Sequence, residues 1–336
     1  MEVAAMALAL CAMSHSPLLS LNEPRSEVRA RVDVAREEAR AFVTAYDPDL
    51  VVVIGPDHYN GFFYDLMPPF CIGTAATSIG DYDTVAGPLP VEHDTALAMA
   101  GAVLDAEVDV AVSERMKVDH GLVQPLEFLF GGFHRCPPVI PVFINGVAVP
   151  LGPARRARLL GDAIGRFAAG LDRRVLLLAS GGLSHDPPVP QLASATPEVA
   201  EGLIDGRNPT PEARAARQER VIVTGQRFAE DPTTLQDLNP EWDQLVLDTL
   251  ASGRLADVDG WSNAWFQEQA GNSSHEVRTW IAAYAALAAA GPYEVGTRFY
   301  EPIREWIAGF AVTTATPTTG QAHLAMASAH STTTGA

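Results

Sequence analysis

Cysteine is scarce in this chain of 336 residues. Cys11, Cys71 and Cys136 are the three present; they show no CxxC spacing and are odd in number. That excludes a disulfide framework and a closed Cys-rich zinc site, and it fits reduced thiols in a cytoplasm. Basic residues are also few: 23 Lys+Arg stand against 41 Asp+Glu, for a net charge of −18, and no Lys/Arg-rich run exists. A nucleic-acid partner needs a basic footprint to neutralise phosphates, so none is expected. An acidic surface equally repels anionic lipid. No uncharged apolar run in the body of the chain approaches the ~18 residues that would read as a membrane span. The apolar start, Met1 to Met13, lacks a basic segment and carries Glu2, so it does not read as a signal peptide. Charge is missing altogether from Ala311–Ala336, which holds mostly Thr, Ala and Ser. This stretch reads as a disordered tail, leaving residues 1–310 as the folded domain.

What is present is an alternation. Apolar runs at Ala7–Cys11, Leu50–Ile54, Val139–Ile144 and Val175–Ala179 predict buried strands. Amphipathic stretches at Ser26–Ala45, Thr95–Leu104 and Arg155–Ala169 predict helices between them. Leu192–Leu255 reads as mostly helical, and Ser274–Ala290 as a further helix stopped by Gly291-Pro292. The expected fold class is α/β, a central, largely parallel sheet flanked by helices.

Ligands of open α/β sheets bind beyond the carboxyl ends of the strands. Three histidines fall there: His15 after the first predicted strand, His58 after the second, and His185 after the fourth. In a parallel sheet all three reach one edge. A single loop histidine is ordinarily a surface residue, whereas three at strand ends can form one site. His120 follows Asp119, which suits a helix N-cap; a structural and a functional reading balance at this position. Glu276 has a competing explanation, because Ser273-Ser274-His275-Glu276 fits a capping box. A carboxylate in such a first turn could instead face a metal, and two histidines with one carboxylate make up the facial triad of non-haem iron(II) enzymes. Asp57 and Tyr59 flank His58 and could orient imidazoles or simply pack the loop. His93, His134, His323 and His330 are given no role.

These residues lie in longer stretches. Ser14-His15-Ser16-Pro17-Leu18 is one, and Pro56-Asp57-His58-Tyr59-Asn60-Gly61-Phe62-Phe63-Tyr64-Asp65 is the most specific. Val118-Asp119-His120-Gly121, Pro141-Val142-Phe143-Ile144-Asn145-Gly146, Gly181-Gly182-Leu183-Ser184-His185, and His275-Glu276 with Thr279-Trp280 follow. Across these stretches, from about Leu8 to Phe310, the chain resembles the class III extradiol dioxygenases, and within them the bacterial 3-(2,3-dihydroxyphenyl)propionate 1,2-dioxygenases. Met1–Ala5 and the uncharged tail depart from the pattern without touching a motif.

The resemblance implies a single α/β domain and an Fe(2+) cofactor held by His15, His58 and Glu276. It implies His120 as catalytic acid and His185 as base, a catechol and dioxygen as substrates, and a homo-oligomer. The anionic side chain of such a catechol calls for a local Arg or Lys in the pocket, which sequence alone does not single out. A metal-dependent hydrolase and a non-catalytic relative on the same fold remain as the competing classes, since fold does not fix function.

Overall fold

Leu8–Ser14, the first strand (β1), is seven residues without a charge and buried along its whole length. The computed structural model describes residues 8–318. From β1 the chain runs through helix α1 (Ser26–Tyr46), strand β2 (Leu50–Gly55), and the short strands β3 (Phe70–Gly73), β4 (Ala76–Ile79) and β5 (Ala86–Pro88). Helix α2 (His93–Asp105), strands β6 (Ala111–Ser113) and β7 (Met116–Val118), helix α3 (His120–Phe130) and strand β8 (Val139–Ile144) follow. Then come α4 (Ala154–Ala169), β9 (Val175–Gly181), α5 (Pro197–Asp205), α6 (Pro211–Glu230), α7 (Pro240–Ala251) and α8 (Asn263–Ala270). Helix α9 (Arg278–Ala288) and strands β10 (Tyr293–Ile303) and β11 (Ala308–Pro317) complete the order.

Eight strands form one sheet in the order β10-β11-β1-β9-β2-β8-β3-β6. Its centre, β1, β9, β2 and β8, is parallel, while β11 and β10 on one side and β3 on the other introduce antiparallel pairs. The sheet is therefore mixed with a parallel heart. Side chains alternate between two cores, as the period of a strand requires. Leu8, Leu10, Val52, Ile54, Val142 and Leu177 face the layer of α4 and α9. Ala9, Cys11, Val51, Val53, Phe143 and Leu176 face the layer of α1 and α3. Because both faces are covered, the central strands are apolar throughout rather than alternating, and this makes all four legible as runs. A separate small sheet, β5-β4-β7, stands beside the large one.

The boundary expected after Phe310 is corrected by the structure. Ala311–Pro317 continue β11, which pairs antiparallel with both β1 and β10. Small and β-branched residues suit a strand squeezed between two neighbours; the Tyr284 hydroxyl lies 2.8 Å from that of Thr313, and Thr314 Oγ1 accepts from Thr297 N at 2.9 Å. The rest of the uncharged stretch, residues 319–336, lies outside the described residues, as do His323 and His330. The helix expected over Ser274–Ala290 is also divided: Ser274–Val277 form a 3₁₀ turn and the α-helix begins at Arg278.

Helices α4 and α9 pack backbone to backbone. A Cβ placed on Gly161 would lie 2.0 Å from Ala282 O, and one on Gly165 2.1 Å from Ala286 O. Alanine normally outranks glycine inside a helix by about 1 kcal/mol. Here overpacking of about 1–3 kcal/mol per site opposes that gain, with no flexible side chain to yield. The double substitution Gly161→Ala/Gly165→Ala is therefore expected to lower the thermal midpoint, by about 2 °C for each kcal/mol lost in a chain of this size. A midpoint unchanged or raised in a thermal scan would mean that the two helices separate without cost.

Candidate metal centre and cavity

The parallel pairing delivers three of the expected side chains to one place. β1, β9 and β2 end together, and the residues just past them are His15, Gly182 to His185, and His58. The ring of His15 lies 5.3 Å from that of His58, centre to centre. The small sheet supplies the fourth. β4 and β7 run parallel with Ser78 opposite Val118, so the residues just beyond, Asp81 and His120, emerge side by side. His120 stacks on His58 at 4.6 Å and meets His15 edge-on at 5.4 Å.

Glu276 lies beneath these rings, 1% exposed. The competing capping-box reading fails here: Ser273 makes no side-chain cap bond. The carboxylate turns into the histidines instead. Its Oε1 is 3.2 Å from His58 Nε2 and 3.1 Å from His185 Nε2; its Oε2 is 3.6 Å from His15 Nε2 and accepts from Gly182 N at 3.2 Å. Residue 182 has no room for a side chain, since a Cβ there would meet His185 Cε1 at 2.4 Å.

The far nitrogen of each ring is engaged. His58 Nδ1 is 3.0 Å from Asp119 Oδ2, which also accepts from His58 N and from Asn60 Nδ2. His15 Nδ1 faces Ser180 Oγ at 3.1 Å, and His185 Nδ1 donates to Leu183 O at 2.9 Å. His120 Nδ1 is 2.6 Å from Asp81 Oδ2, and its backbone N–H donates to Asp81 Oδ1 at 2.8 Å. Such partners fix ring orientation and leave Nε2 for chemistry. His120 Nε2 is buried and has no hydrogen-bond partner among the described residues, which in a buried polar atom calls for an explanation.

The electrostatics follow from burial around one carboxylate. Burial pushes His15 down to about 3. Burial also opposes charge on His58, but Asp119 and Glu276 outweigh it and hold that ring well above its ordinary range. His185 is likewise lowered by burial and raised, on balance, by Glu276. Glu276 itself, despite burial, is held well below the usual carboxylate range by His185, His58 and His15. In the protein alone, protons on imidazole nitrogens thus balance the buried anion. A divalent cation would replace those protons, as metal binding at such sites generally does. The donor set fits one: ligand atoms of His15, His58 and His120 lie within 4.8 Å of one another, and a second such group joins Asp81, Asp119 and His120.

These rings open into a cavity of about 720 Å³. Its walls include Pro187, Val189 and Leu203 with Trp306 and Ile307, and the face of α6 carrying Arg214 and Arg217. That is the size and apolar character of a small-molecule site.

Other residues near the site resolve less simply. Asp57 accepts from the backbone N–H groups of Asn60, Gly61 and Phe62, so it shapes the loop rather than an imidazole. Tyr59 stacks with Tyr64 at 5.9 Å. His275 is fully buried against Phe266 and is not part of the cavity wall. Asp119 is the N-cap expected, accepting from Gly121 N, and is also the partner of His58. Asp81 and Ser180 escape a reading of the sequence; nothing in Ser78-Ile79-Gly80-Asp81 marks one aspartate among many, and only the β4–β7 pairing reveals it.

The family model described as the catalytic LigB subunit of aromatic ring-opening dioxygenase matches residues 9–311. The chain belongs to this family, and its class is that of an extradiol ring-cleaving dioxygenase. A Rhodococcus protein named 2,3-dihydroxyphenylpropionate/2,3-dihydroxicinnamic acid 1,2-dioxygenase is 61% identical over 310 residues, which cover 92% of this chain and 98% of that one. A protein of the same name from Rhodococcus jostii strain RHA1 is 59% identical over 310 residues, with coverage of 92% and 98%. A crystal structure of an uncharacterized protein from Escherichia coli K12 aligns with a TM-score of 0.42 at 13% identity, covering 91% of this chain and 98% of that one.

Proposed function

We propose that the chain opens 3-(2,3-dihydroxyphenyl)propionate and its cinnamic analogue next to the diol, with Fe(2+) held by His15, His58 and Glu276. The observation that carries the reading is the meeting of His15, His58 and His185 on one buried carboxylate at the base of a ligand-sized cavity. The names of relatives near 60% identical support the substrate. The ion would supply Lewis acidity toward a catechol hydroxyl and a redox partner for dioxygen, with coordination positions open to both.

The remaining work falls to the chain. His15 and His58 present Nε2 because Ser180 and Asp119 occupy Nδ1. His185, donating from Nδ1 to Leu183 O, has Nε2 as its basic atom when neutral, and there takes the proton of a catechol hydroxyl. His120, tied to Asp81, supplies a proton from Nε2 during cleavage of dioxygen. Two histidines can hold opposite roles because their partners differ: a carboxylate behind one, a backbone carbonyl behind the other. Apolar residues around the rings exclude water from the reacting atoms. The same reading takes the protein as a cytoplasmic homo-oligomer; among the described residues no helix is long and apolar enough to cross a membrane.

Anaerobically purified protein reconstituted with iron(II), then given the substrate and oxygen, is expected to form a yellow ring-opened dienoate with one oxygen consumed per turnover. Iron-loaded protein that leaves this substrate and simple catechols untouched would sink the reading in favour of a metal-dependent hydrolase or a binding protein.

A further inference from the structure

An anionic substrate side chain approaches a protein of net charge −18, so long-range repulsion works against it. The binding energy must come from a cation at the cavity wall. Four arginines line the cavity: Arg207, Arg214, Arg217 and Arg220. Arg207 is already neutralised, with ion pairs to Asp65 at 2.7 Å and to Asp205. Arg220 is exposed, where solvent screens its charge. Arg214 and Arg217 are half-buried and have no acidic partner among the described residues.

Both are held by backbone carbonyls, which fix a guanidinium without cancelling its charge. Arg217 Nη2 donates to His58 O, and Arg214 Nη1 donates to Ile79 O at 3.2 Å. Each contact uses one donor of a five-donor group. They stand three residues apart on α6, hence on the same side of it. Arg217 is thus anchored on the very residue whose imidazole faces Glu276. Its field also reaches Tyr59 and Tyr82, and Tyr82 lies edge-on to His120 at 4.9 Å. A catechol seated against the histidines would extend a short side chain along this wall. Glu198 also borders the cavity but is exposed and pairs with neither arginine.

We infer that Arg217, with Arg214 one turn before it, forms the subsite that binds the side-chain carboxylate of the substrate and selects acidic catechols over neutral ones. The inference rests on the substrate class proposed above, and it is tested first without metal or turnover. Metal-free protein is titrated by calorimetry with 3-phenylpropionate and with its neutral amide, neither of which carries a diol. The carboxylate is expected to bind about tenfold or more tightly, the scale of a charge-assisted pair. Arg217→Met should remove most of that preference and Arg214→Met part of it, while Arg207→Met should keep it.

In the iron-loaded enzyme, Arg217→Met should raise KM for the acidic catechol by about 10- to 100-fold and shift KM for 3-methylcatechol much less. Equal or undetectable binding of acid and amide by the unsubstituted protein overturns the subsite. So does a preference that survives both Arg217→Met and Arg214→Met, or is lost only in Arg207→Met. An equal loss on both catechols assigns Arg217 to holding the His58 loop instead and also overturns it. Failure of the unsubstituted enzyme to open any catechol strikes the proposed function, while the metal-free titration still decides the subsite.

Discussion

Glu276→Gln is expected to abolish iron retention and ring opening together while leaving the chain folded. The substitution keeps shape and removes charge. In the structure the carboxylate accepts from two imidazoles and a backbone N–H and lies near a third ring. An amide presents a neutral oxygen and an NH₂ group to those same nitrogens, so it can neither balance a divalent ion nor satisfy both neighbours. Loss of groups one layer behind a metal ligand weakens binding or activity by about 10- to 100-fold. Asp119→Ala, which frees His58 Nδ1, should fall in that range. Glu276→Gln should exceed it. Metal content per chain after desalting, measured beside kcat/KM and a thermal scan, separates the cases. A Glu276→Gln protein that keeps one iron and full turnover would remove this residue from the ligand set and return it to a structural role.

His120→Ala is expected to retain iron yet lose about 10²–10⁴ in kcat, the usual contribution of a positioned acid or base. The contrast with Glu276 is what gives the result its meaning. His120 lies close enough to His15 and His58 to join them around an ion, and on distance alone it competes for a place as ligand. Two features favour the acid role: its Nε2 has no partner among the described residues, and Asp81 fixes its Nδ1. Asp81→Asn, which replaces the anionic acceptor by an amide, should move kcat in the same direction without loss of iron. If His120→Ala protein emerges without metal, the ligand set is His15, His58 and His120, and the proton donor must be sought elsewhere.

The central strands are legible in the sequence because they are covered on both faces, so β1, β2, β8 and β9 show uninterrupted apolar runs. The edge is not. β10 alternates half-buried and exposed residues and contains Gly296 and Pro302. β11 is buried but built largely from Ala and Thr, a composition that reads as tail when its neighbours in space are unknown. The convergence of the strand-end histidines follows from parallel topology alone. That of Glu276 does not, because a first-turn carboxylate after serine is ordinarily a cap, and only the resemblance singles it out. Asp81 depends on the pairing of two short strands that no run of residues announces. Arg217 lies on a helix rich in charge, where one arginine resembles the next until the cavity shows which of them lacks an acid.

Strand β1 has a further consequence for how the protein comes into being. One edge of β1 is covered by residues 175–181 and the other by β11, near residue 315. During synthesis, the strand that leads to His15 emerges well before β11 and waits with one side unpaired until that strand is made. Its pairing is therefore of very long range, the kind that slows folding and leaves an apolar edge open to strangers. A chain released before β11 would hold every histidine of the centre and the glutamate as well, yet would leave β1 with a bare side. Emergence of β11, rather than possession of the ligands, sets the moment at which β1 is covered on both sides.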